Sequence, residues 1–63
     1  MSKCIGIGDV VEVVALDHVD NESMLHIKGT VLTTFGSKRG VVLFIKIDED
    51  FYRTFYLWQL EKV

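Results

Sequence analysis

The 63-residue chain contains no proline and a single cysteine, Cys4. Without a second cysteine it cannot form an intramolecular disulfide framework, and a cysteine-based zinc site is equally excluded. The lack of proline, together with the lack of any Gly/Ser-rich stretch, leaves no linker at which to divide the chain. Basic residues are few: seven Lys and Arg stand against nine Asp and Glu, for a net charge of −2. That sign disfavours general nucleic-acid binding, which needs clustered cations to displace counterions from phosphates. No apolar run approaches the roughly 18 residues of a membrane span. Asp9 and Glu12 interrupt the first apolar residues too early for a signal peptide, so a cytoplasmic location is expected.

What remains is a globular composition, with 49% hydrophobic and 25% charged residues, enough to build a core rather than a disordered chain. The length allows one domain over residues 1–63, with 1–7 as an N-terminal lead-in. Burial on this scale contributes about 95 kcal/mol at about 25 cal/mol per Å². Ordering the chain costs about the same, at ~1.5 kcal/mol per residue. Such a small fold is marginal alone and would gain from a partner or from self-association.

Val, Ile, Phe and Tyr dominate the apolar content, which favours strands. Val10 to Leu16 reads as the first strand, entered through Gly8-Asp9. Asp17 to Ser23 is polar apart from Val19, and its short side chains compete with ladder pairing, so it reads as a loop. Leu25 to Phe35 is the second strand, with Gly29 marking a bulge or bend. Gly36 to Gly40 makes a turn, Val41 to Asp48 the third strand, and Glu49-Asp50 the next turn. Phe51 to Tyr56 and Leu60 to Val63 complete the set, with one tight helical turn at Trp58-Gln59 between them. A terminal helix over Phe51–Lys62 is rejected, because Thr, Tyr and Phe fill its first half without a 3.6-residue period. Five short strands with regular turn signals predict an all-β barrel or sandwich.

Four features carry a family likeness: Gly8-Asp9-x-Val11-x-Val13, the inner Gly29-Thr30-Val31, the third strand ending in Ile47-Asp48, and the final FYLWQLEKV. Together they resemble a stand-alone SH3-like small barrel. The chain is similar to the stromal photosystem I accessory subunit and to the variable chain of ferredoxin–thioredoxin reductase. The likeness spans Gly8 to Val63 and implies a five-stranded barrel with a short helical turn before the last strand. It also implies a non-enzymatic accessory role without a cofactor, on a larger protein partner. The first loop is acidic here, and no ferredoxin-binding residue carries over. Peptide-binding SH3 domains have an ALYDY-type stretch, paired tryptophans and a proline in their last motif. This chain has only Ala15-Leu16-Asp17, one Trp and no proline. The Val-Gln-Ile-Tyr motif of the short-barrel dihydrofolate reductases is missing too.

Alternation along the strands separates two faces. On the barrel reading Val11, Val13, Ala15, Ile27, Val31, Leu43, Ile45 and Ile47 point inward, with Phe55, Leu57, Leu60 and Val63 closing the core. Val42, Phe44, Tyr52, Tyr56 and Trp58 have the opposite parity and form an outward aromatic set. Such a set is expected to bind a protein partner, or a second copy of the chain. Cross-strand stabilisation of the hairpin is the plainer account of the same residues.

The other candidates for chemistry are weaker. Lys38 and Arg39 tip a turn and, with Lys28 and Lys46, could touch a phosphate backbone as KOW-type barrels do. The acidic stretches Asp17–Glu22 and Asp48–Asp50 would repel that ligand. A small inhibitor of a host enzyme is a further option that fits the same aromatic set. His18, Asp20, Glu22 and His26 match neither a calcium loop nor a zinc helix, and read as a solvated acidic loop. Gly6-x-Gly8 precedes a strand, so no helix N-terminus follows to hold phosphate. Cys4 has no second thiol, and His18 or His26 would approach it only by accident of the fold, so it is not expected to act as a nucleophile.

Overall fold

The computed structural model describes residues 5–63, so Cys4 and the start of the lead-in lie outside the described residues. Five antiparallel strands follow in chain order: β1 (Val10–Val13), β2 (Lys28–Ser37), β3 (Gly40–Asp48), β4 (Phe51–Tyr56) and β5 (Leu60–Lys62). A 3₁₀ turn at Leu57–Gln59 precedes β5, and a second at Glu22–Met24 lies in the loop from β1 to β2. In space the order is β4-β3-β2-β1-β5. This small all-β sheet is compatible with an SH3-like barrel.

The alternation read from the sequence builds the core. Val11, Val13, Val31, Leu43, Ile45, Phe55 and Leu60 are almost fully buried in one cluster, with Ile27, Ile47 and Leu57 packed against it. Phe55 comes from one edge strand and Leu60 from the other. Both can reach the same cluster only because the sheet bends strongly around it. Gly29 permits the bend: a methyl group there would collide with Ile45 Cγ2 and stand 2.7 Å from the Lys46 carbonyl oxygen.

Several expectations need correction. β1 stops at Val13, because the next two amides leave the ladder: Val14 and Ala15 both donate to the Gln59 carbonyl, at 2.8 and 3.3 Å. β2 starts at Lys28, three residues late, because His26 adopts a positive φ of 70° and turns the chain. The turn after β2 is tighter than expected, since Ser37 already pairs with Gly40 around Lys38-Arg39. Gly40 holds it at φ 128°, a conformation costly for a residue with a Cβ. Val63 is 65% exposed and does not close the core. Met24, in the stretch between the predicted loop and strand, fills that role instead.

A bulge matters most for function. The β2–β3 register shifts between Val31 and Thr33, so one residue is inserted at Leu32. Past a bulge the alternation reverses. Val31 therefore faces the core, while Thr33 and Phe35 face out beside Phe44 and Val42, their partners on β3.

Candidate functional site

The outward face is built in rows, because directly opposed residues on antiparallel strands point to the same side. Phe35, Val42 and Tyr56 form one row across β2, β3 and β4. Thr33, Phe44 and Thr54 form the next. Val10, Thr30, Lys46 and Tyr52 form a third that extends to β1. The β-branched threonines keep the strands extended, and the Phe44–Tyr52 stack joins one row to the next.

Two ring pairs stack on this face. Phe44 and Tyr52 lie 5.6 Å apart at 10° between planes, and Tyr56 and Trp58 lie 6.3 Å apart at 8°. Tyr52 is 41% and Trp58 51% exposed, whereas Val42, Phe44 and Tyr56 are half-buried. All five residues expected on the aromatic face are thus accessible to some degree, and they adjoin one another. Phe35, 49% exposed, is a sixth that simple alternation from Val31 hides.

Where β3 begins and β4 ends, the face opens into a cleft of about 450 Å³ lined by Arg39, Gly40, Val41, Tyr56, Leu57 and Trp58. The Arg39 guanidinium lies over the Tyr56 ring, 5.1 Å from its centre. It also reaches Asp17 Oδ2 at 3.6 Å, across the β1–β2 loop. The Asp17 carboxyl accepts the His18 amide at 2.8 Å, the main reason it is held below the ordinary range of a carboxylic acid; the His18 ring and Arg39 act in the same direction. Arg39 therefore bridges the acidic loop to the aromatic cleft.

The four basic residues do not converge. Arg39 is engaged as described, and Lys38 shares its exposed turn. Lys46 stands on the outward face between Thr30 and Tyr52. Lys28 sits opposite Glu12, whose carboxylate is 2.9 Å from His26 Nδ1.

His18 rests on Asp17 at 2.9 Å, and Asp20 accepts from Gln59 Nε2 at 2.6 Å. Among the described residues no three His, Cys, Asp or Glu side chains gather to hold a metal ion. Gly6 and Gly8 shape a turn into β1, with the Gly6 amide donating to Asp9 Oδ2 at 2.8 Å. No helix among the described residues is long and apolar enough to cross a membrane.

Gln59 was not singled out in the sequence, yet it organises this end of the molecule. It is buried, its Oε1 accepts the Tyr56 amide at 2.9 Å, and its Nε2 donates to Ala15 O as well as to Asp20. These bonds fix the chain direction at Tyr56, and hence the placing of the Tyr56–Trp58 stack. No family model matches this chain, and neither does any curated protein or solved structure compared with it.

Proposed function

We propose that this chain is a non-enzymatic protein-binding module, an accessory subunit or small modulator of a larger complex, which docks through its outward aromatic face. One observation carries the reading: two stacked aromatic pairs share a sheet face that ends in an apolar cleft with a guanidinium at its side. Rings held by stacking lose little further freedom on binding, which suits them as anchors. The resemblance to the stromal photosystem I subunit and the reductase variable chain supports the same class of role. An inhibitor that masks an enzyme is this reading with a different partner.

Capture of a partner from native cells, identified by mass spectrometry and repeated with the purified partner, tests it. Trp58→Ser combined with Phe44→Thr is expected to abolish capture while the far-ultraviolet circular dichroism stays that of the wild type. Unchanged capture by that variant removes the reading. Trp58 is the only tryptophan, so its emission reports directly on the titration.

A second reading, a nucleic-acid-binding barrel, has one observation in its favour. Arg39 over Tyr56, beside Trp58, offers aromatic and guanidinium planes on which a base can stack. Asp17 already neutralises part of that charge. Titration with labelled single-stranded and duplex oligonucleotides at low salt decides it, and no binding at ~100 μM ends it.

A further inference from the structure

The geometry points to the free edge of β4 as a pairing edge for a second copy of this chain, joined strand to strand across a two-fold axis at Thr54. The pairing is made by the β4 main chain, beside the aromatic face rather than through it.

Backbone parity identifies the edge. Asp48 and Phe51 close the two-residue turn Glu49-Asp50. Such a turn is closed by a hydrogen-bonded pair, and alternation then directs the N–H and C=O groups of Phe51, Arg53 and Phe55 towards β3. Those of Tyr52, Thr54 and Tyr56 leave the strand on the opposite side. Tyr56 gives an independent check, because its amide donates to Gln59 Oε1 and not to β3, which leaves the outward amides of Tyr52 and Thr54 for an edge partner. Among the described residues β3 is the only strand that pairs with β4. β4 also lacks the proline that often blunts such an edge.

The occupant follows from self-complementarity. In an antiparallel pairing centred on Thr54, each Thr54 meets its own counterpart and exchanges both main-chain bonds with it. Tyr52 meets the second copy's Tyr56, a favourable aromatic pair. Arg53, the only charged residue in β4, falls opposite Phe55, so no like charges face one another. Beyond the strand, Asp50 of each copy comes level with Trp58 of the other, beside the cleft that holds Arg39, and Glu49 with Gln59. Opposite charges therefore meet at both ends of the ribbon. β5, the other edge, is a poorer template: it has three residues, two of them the charged Glu61 and Lys62.

Sedimentation equilibrium over a concentration series tests this on the full chain. The wild type should move from one 7.2 kDa chain towards twice that mass and no further. Thr54→Pro should stay monomeric with an unchanged circular dichroism spectrum, since the lost N–H points away from β3. Should that variant not fold, Thr54→Lys places two ammonium groups at the axis and should weaken association at least about tenfold. Three results overturn the inference: a wild type still monomeric at about 1 mM, a limit stated against typical weak affinities; association untouched by Thr54→Lys; or growth beyond the dimer. Association should survive Phe44→Thr, a substitution on β3 rather than on the edge strand, while capture of another protein should weaken, which separates failure of the edge from failure of the face.

Discussion

Gln59 and Asp20 are joined at 2.6 Å across thirty-nine positions of sequence, tying the turn before the last strand to the acidic loop. Gln59→Ala removes this bond together with those to Ala15 and Tyr56, leaving half-buried groups without partners. A loss of about 1–3 kcal/mol is expected from the unsatisfied groups. In a domain of this size each kcal/mol lowers Tm by about 4–8 °C. Urea and thermal unfolding measure it, and a variant as stable as the wild type would show that the loop is held by other contacts.

Gly29 offers a sharper packing test. Alanine there meets Ile45 Cγ2 and the Lys46 carbonyl, and backbone cannot yield as a flexible side chain does. Gly29→Ala should destabilise by about 1–3 kcal/mol, the usual cost of overpacking. Gly36→Ala, with nothing within 4 Å of the added methyl, is the control and should change stability little.

These two residues also show how far a reading of the sequence reaches. Gly29 announces a bend inside an otherwise apolar strand, and Val42, Phe44, Tyr52, Tyr56 and Trp58 share a parity that sends them to one face. Local alternation suffices for both. Phe35 escapes the same argument because the bulge at Leu32 reverses the alternation, and an inserted residue leaves no mark in a run of threonine, valine and leucine. Met24 and Gln59 are missed for another reason. Each is buried by contacts from distant segments, so its neighbours in sequence do not reveal its surroundings. β1 is shortened in the same way, by the Gln59 carbonyl competing for the amides of Val14 and Ala15.

Asp17 predicts the acid behaviour of the loop. The His18 amide is the chief cause of its lowered pKa, with the charge of Arg39 acting alongside. A carboxyl whose pKa is lower folded than unfolded stabilises the fold above its unfolded value and loses that contribution as the pH falls through the folded one. Asp17→Asn should therefore be less stable than the wild type at neutral pH. The difference should shrink once the pH drops below about 4, the ordinary aspartate range. Urea unfolding at a series of pH values checks this, and a difference independent of pH would assign the effect to packing.

Arg39 combines two roles that substitution can separate. Arg39→Lys keeps a positive charge for Asp17 but loses the flat guanidinium that lies over Tyr56. Arg39→Ala loses both. If stacking shapes the cleft, the two variants should weaken partner binding by a similar amount, about fivefold for a cation–π contact of roughly 1 kcal/mol. If the ion pair to the acidic loop governs the cleft, lysine should retain wild-type affinity and alanine alone should fail. Titration followed by Trp58 emission distinguishes the two, because the indole lines the same cleft and stacks on the ring that Arg39 covers.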